Sequence, residues 1–300
     1  MVTPPFLNDG DCIGIVSTAR KISTEEISPL LELITSWGLN YEIGTTINAE
    51  DHQFAGNDSL RIQDFQNMLD NPEIKAIWCA RGGYGSVRLI DALDFSAFRK
   101  NPKWIIGYSD VTVFHSHIHH MGIETLHANM ATDIRTKTDA TRNTIKEALF
   151  GNGYSIEYVS KENLIRSGDS QASLVGGNLS ILYSLCGSNT ALQTAGKILF
   201  IEDLDEYLYH IDRMLMNLKR NGMLQDVAGL IVGGMNDMND NTVPFGKTAN
   251  EIVWEHVKEY DYPVCFGFPA GHIQDNRALI LGRTVRLKVQ DNSVKLDFTA

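Results

Sequence analysis

Ile74-Lys75-Ala76-Ile77-Trp78-Cys79-Ala80, running straight into Arg81-Gly82-Gly83-Tyr84-Gly85, is the stretch that decides the fold. The apolar run lacks the polar alternation of a strand with one wet face, so it reads as a strand covered on both faces. The glycines that end it allow a tight turn and a close backbone approach. Outward from this stretch the same order recurs. Cys12 to Val16 is an earlier buried strand, a strand lies near 41–45, and Lys103-Trp104-Ile105-Ile106-Gly107-Tyr108 is a later one. Helical patterns fall between them. Ser23 with Glu26 forms a capping box before a helix whose Ile27, Leu30, Leu31, Ile34 and Trp37 share one face. Pro29 is expected to distort that helix and Gly38 to stop it. A second helix is expected over about 59–69, a short one carries Val87, Leu89 and Ile90, and Ser109 sits where another begins. This alternation predicts an α/β fold with a mainly parallel sheet flanked by helices.

Between about 133 and 168 the pattern weakens. A polar helix over 138–149 runs into Gly151-Asn152-Gly153, and the charged stretch Ser160-Lys161-Glu162-Asn163 follows. The expected division is an amino-terminal domain over 1–150, a linker over 151–170 and a mixed α/β carboxy-terminal domain over 171–300. In that second half, 178–185 reads as a helix after Gly176-Gly177, and 197–201 as a buried strand. A long helix over 207–220 presents Leu208, Ile211, Leu215 and Leu218. Apolar strands at 227–232 and 263–268 flank a helix near 250–260. The tail from Ala278 alternates like an antiparallel edge strand.

Composition bounds the function. Three hundred residues, 43% hydrophobic and 21% charged, are an ordinary globular chain of about two domains. A net charge of −11 argues against gripping nucleic-acid phosphates. No apolar run approaches the ~18 residues of a membrane span, and the first residues show no basic-then-apolar secretory pattern. Cys12, Cys79, Cys186 and Cys265 are scattered, with no CxxC pair. Free thiols in a reducing compartment, and hence a cytoplasmic location, are expected.

Function in parallel sheets concentrates at the carboxyl ends of strands. At one such end stands Gly107-Tyr108-Ser109-Asp110. Ser109 is either a nucleophile on a strained strand-to-helix turn or a helix N-cap, and Val111 stands where a small residue is usual after such a nucleophile. The turn Arg81–Gly85 offers backbone amides to an oxyanion or a phosphate, or is a turn with no ligand; it fits neither nucleotide-binding glycine pattern. Ile201-Glu202-Asp203-Leu204-Asp205-Glu206 places a carboxylate where it can orient a histidine, or else cap the next helix. His272, beside Gly271 in a loop after an apolar strand, suits a general base. A rival cluster is His115-Ser116-His117-Ile118-His119-His120. There His115 and His119 have an i, i+4 metal-ligand spacing but no HExxH glutamate, which leaves a metallohydrolase or partly buried histidines. A non-catalytic sugar- or nucleotide-binding protein using the glycine turn is a further alternative.

Together, Arg81–Gly85, Gly107–Asp110, Gly176-Gly177-Asn178-Leu179, Ile201-Glu202-Asp203, Ile211-Asp212-Arg213-Met214-Leu215 and Gly271-His272 resemble the LD-carboxypeptidases. These serine peptidases include muramoyl-tetrapeptide carboxypeptidases and the related microcin C immunity hydrolases. The resemblance implies a glutamine-amidotransferase-like amino-terminal domain and a carboxy-terminal domain supplying acid and base. It maps Ser109 to the nucleophile, Glu202 to the orienting acid and His272 to the general base. The oxyanion donors would be backbone amides of Asp110, Gly82 and Gly83. Arg81 is the candidate for gripping a substrate carboxylate. No cofactor, a homodimer and a peptidoglycan-derived tetrapeptide substrate are further implied, with an immunity hydrolase as the nearest alternative.

Overall fold

The computed structural model describes residues 1–162 and 164–299; Asn163, in the charged stretch of the expected linker, lies outside them. The first half alternates strand and helix: β1 (Cys12–Val16), α1 (Thr24–Ser36), β2 (Asn40–Ile43), α2 (Asp58–Asp70), β3 (Ile74–Cys79), α3 (Ser96–Lys100), β4 (Trp104–Gly107), α4 (Thr112–His119), β5 (Thr125–His127) and α5 (Asp139–Phe150). The second half contributes β6 (Ser155–Val159), β7 (Gly168–Asn178), α6 (Leu179–Ser184), β8 (Ile198–Leu204), α7 (Leu208–Arg220), β9 (Gly229–Asn236), α8 (Ala249–Val257) and β10 (Val264–Cys265). It ends in β11 (Leu279–Leu281), β12 (Thr284–Gln290) and β13 (Ser293–Asp297).

Two sheets result, and the α/β reading holds. The first has the order β11-β5-β4-β3-β1-β2, parallel except for β11, which pairs antiparallel with β5. The second runs β10-β9-β8-β7-β12-β13-β6, parallel from β10 to β7 and antiparallel beyond. In the first sheet the strand order reverses direction at β1 and β3, the kind of switch point at which open parallel sheets bind ligands.

Local chemistry explains several boundaries. Ser23 and Glu26 exchange capping-box bonds at the start of α1. Pro29 lies inside α1 without ending it, because the Glu25 carbonyl that a residue-29 amide would serve accepts Ser28 Oγ at 2.9 Å instead. Ile27, Leu30 and Ile34 on this helix are fully buried, worth about 1.5–3 kcal/mol each. Other expectations need correction. The tail alternates because one face of β12 is wet, yet β12 lies between β7 and β13 and is no edge. The segment from 263 to 268 yields only the two-residue β10. The outer half of β7, whose Asp169, Ser170 and Gln171 pair with β12, is too polar to announce a strand. All four cysteines are free; Cys79 and Cys265 are buried, Cys12 and Cys186 partly so.

The lobes meet at α4. The backbone N–H of Asn178 donates to Thr112 Oγ1 at 3.1 Å. A Cβ on Gly177 would lie 2.5 Å from that same oxygen, so the close approach requires glycine there.

Candidate active site

Ser109 directly follows β4 and Tyr108, in a left-handed conformation with φ +60° that a residue with a side chain adopts only under strain. Its side chain caps no helix: a short turn over Ser109–Val111 precedes α4, with no side-chain cap bond. The unusual Val111 has a local explanation. A Cβ on Gly107 would lie 2.7 Å from Val111 Cγ2, so the missing side chain at Gly107 makes room for the larger one at Val111. The Gly107 carbonyl is held by His115 Nε2 at 2.9 Å and Ala128 N–H at 3.0 Å, which fixes the strand end under the serine.

The glycine turn after β3 lies against this elbow. A Cβ on Gly82 would be 3.5 Å from Ser109 Cβ and 3.6 Å from Asp110 N. Among the described residues the amides of Gly82, Gly83 and Asp110 donate to no backbone acceptor in the loops, as suits an anion-accepting pocket. The buried Asp110 carboxylate accepts Ser86 N–H at 2.8 Å, tying the turn to the elbow. Burial pushes its pKa upward against those hydrogen bonds. Arg81 lies on the same cleft, but its Nη1 donates to Lys21 O at 3.0 Å and lies 3.3 Å from Glu26 Oε1.

Glu202 and His272 come from the second lobe. A register shift between β8 and β9 falls at Glu202, the kind of irregularity that re-aims a side chain. Glu202 is fully buried, and its Oε2 lies 2.7 Å from His272 Nδ1. A carboxylate accepts only, so Nδ1 carries the proton and Nε2 keeps its lone pair. Gly271, at φ +104°, permits the approach: a Cβ there would be 2.7 Å from Glu202 Oε2. The loop is pinned by Asn236 Nδ2 on His272 O at 3.0 Å and by Lys137 Nζ on Ile273 O at 2.8 Å, one anchor from each half of the chain. Burial pushes the imidazole pKa down, but the Glu202 charge and hydrogen bond, with Asp203 adding, outweigh it, and the net shift is upward.

Ser109, Gly82, Gly83 and His272 line one cleft of about 590 Å³, and the rings of Tyr108 and His272 lie 4.7 Å apart. Among the described residues no hydrogen bond joins Ser109 Oγ to the imidazole; free enzymes often tighten this contact only with substrate. Sequence reasoning quoted Asn178 and Asp203 within matching motifs but gave neither a role. Asn178 Nδ2 donates to Asp203 Oδ1 at 2.9 Å and lies 3.4 Å from Glu202 Oε1. Burial, then the neighbouring Glu202, push Asp203 up to about 7. The advance signals were those two motifs, an asparagine after two glycines at a helix start and an acid beside Glu202 at a strand end.

The histidine run belongs to the scaffold. His115 is buried with both ring nitrogens engaged, Nε2 by Gly107 O and Nδ1 by Thr125 Oγ1 at 2.8 Å, and burial pushes it down to about 4. It therefore has no nitrogen free for a metal. Among the described residues no group of three or more His, Cys, Asp or Glu is placed to hold one.

The family described as LD-carboxypeptidase N-terminal domain matches residues 13–128, and LD-carboxypeptidase C-terminal domain matches 171–287. The chain is 32% identical to the probable murein peptide carboxypeptidase of Bacillus subtilis, over 98% of this chain and 94% of that protein. It is 25% identical to the microcin C7 self-immunity protein MccF of Escherichia coli, over 96% and 93%. Its fold superposes on the muramoyltetrapeptide carboxypeptidase of Oxalobacter formigenes with TM-score 0.87 and 26% identity, covering 95% of this chain and 98% of that one. With both halves matched in order and the relatives covered almost end to end, the chain belongs to the LD-carboxypeptidase family and is a serine-type carboxypeptidase.

Proposed function

We propose that the protein removes the terminal D-alanine from a peptidoglycan-derived tetrapeptide through an acyl-enzyme, with Ser109 as nucleophile, His272 as general base and Glu202 as its orienting acid. The observation that carries this reading is the buried Glu202 holding the proton on His272 Nδ1, with Ser109 and His272 lining one cleft. Nε2 takes the Ser109 proton as Oγ attacks the carbonyl of the L-configured diamino acid. The N–H groups of Asp110, Gly82 and Gly83 donate hydrogen bonds to the oxyanion, a contribution worth about 10²–10³ in turnover per donor. His272 then protonates the leaving amine, and water, activated by the same ring, releases the shortened peptide.

The names of the Bacillus and Oxalobacter relatives support a murein substrate, and the four free cysteines support a reducing, cytoplasmic setting for recycling such peptides. A homodimer is the assembly expected, testable by light scattering. The deciding experiment is mass spectrometry of a muropeptide tetrapeptide digest beside Ser109→Ala. Loss of one alanine with the parent and none with the variant supports the reading. Similarity to MccF supplies the rival arm: faster turnover of an aminoacyl-sulfamoyl adenosine than of the tetrapeptide would replace it with an immunity hydrolase.

A further inference from the structure

We infer that Arg20 binds the free carboxylate of the residue being released, and so makes the enzyme an exopeptidase. This deepens the reading above and rests on it. Arg20 lies in the loop after β1, next in the sheet to β3, whose end carries Gly82 and Gly83, so it stands at the switch point. Its backbone is fixed there: the N–H donates to Gly82 O at 3.4 Å, and its carbonyl accepts Ser17 Oγ at 2.6 Å. The side chain crosses the glycine turn so closely that a Cβ on Gly83 would be 2.6 Å from Arg20 Cδ and Nε. Arg20 therefore sits one residue beyond Gly82, which itself abuts Ser109 and the Asp110 amide.

That spacing matches the chemistry. Successive residues of a peptide are ~3.8 Å apart, so with the scissile carbonyl at Ser109 the terminal carboxylate falls one residue along the same wall. Arg20 and Arg81 are the arginines lining the cleft, and the acidic Asp205 and Glu206, which repel a carboxylate, line it as well. Arg81 is already engaged by Lys21 O and Glu26. Among the described residues the Arg20 guanidinium, exposed on the cleft, has no acidic partner within ion-pair distance, and its planar fork suits two-point binding of a carboxylate.

The test uses tetrapeptide with a free C-terminal carboxylate and the same peptide as its C-terminal amide. Binding is measured by calorimetry in Ser109→Ala, where nothing turns over, and D-alanine release is measured in the parent. The acid is expected to bind about tenfold to a hundredfold more tightly than the amide. Arg20→Gln should abolish that preference by weakening the acid alone, Arg20→Lys should restore part of it, and Arg81→Gln should leave it in place. A preference that survives Arg20→Gln, disappears with Arg81→Gln instead, or is absent from the start overturns the assignment. So does an equal fall for acid and amide, which marks a structural role. Failure of the parent to release D-alanine while the Arg20-dependent preference persists would sink the proposed reaction and leave the carboxylate site standing.

Discussion

Glu202 Oε2 accepts two hydrogen bonds from the same residue, one from the His272 ring at Nδ1, 2.7 Å away, and one from the His272 backbone N–H at 3.1 Å. One oxygen thus sets the tautomer, the ring orientation and the loop together. Glu202→Gln keeps the volume but removes the charge and presents an amide that can turn a donor toward Nδ1. The expected result is a fall in kcat of roughly 10³–10⁴ with the fold retained, measured by steady-state kinetics beside circular dichroism. A loss under tenfold would remove Glu202 from the machinery.

The upward shift of His272 fixes the sign of the pH response. As the proposed general base His272 must be neutral to act, so kcat/KM should rise with pH through a value above the ordinary ~6.5 of histidine. In Glu202→Gln the main raising partner is gone while burial remains, so this limb should move to lower pH. Stability carries the opposite trend: the contribution of the His272–Glu202 pair is complete below about pH 6.5 and fades as pH climbs through the higher folded value. Rate profiles and thermal melts across pH 5–9 check both.

Ser109 pays for its exposure with backbone strain. Replacing it with glycine relieves a left-handed conformation that costs roughly 1–2 kcal/mol, against roughly 0.5–1 kcal/mol for the added freedom of the unfolded chain. Ser109→Gly should therefore melt at or above the parent temperature while losing all turnover. A clear drop in melting temperature would show that the elbow is unstrained.

His115 supports the elbow from below. His115→Leu leaves Thr125 Oγ1 and one lone pair of Gly107 O without their partner, an expected loss of about 1–3 kcal/mol by chemical denaturation. Chelators should leave the parent rate unchanged. Inhibition by a chelator, reversed by adding zinc, would return the histidine run to catalysis.

The parallel sheet was legible because buried strands such as β3 are apolar along their whole length, and α1 because Ser23 and Glu26 mark its start in the sequence. Polar strands were not. β6 and the outer half of β7 are stabilised by β12 and β13, which lie more than a hundred residues further on, and no local pattern reports such pairing. At the site, Ser109, Glu202 and His272 each had a bland alternative when read singly, and only the resemblance of six motifs, taken together along the chain, to the LD-carboxypeptidases singled them out. Arg20 had no motif at all. Its position over Gly83 is a product of β1 and β3 lying side by side, which a linear reading does not contain.

The three residues of β11 follow the His272 loop in the chain yet complete the first sheet against β5. The loop is therefore tethered at both ends, by β10 in one sheet and β11 in the other. A protein truncated after Phe150 would expose the naked flank of β5, a template for intermolecular association. Denaturation of the intact chain should accordingly be a single cooperative event, because neither half keeps its own border once the other melts.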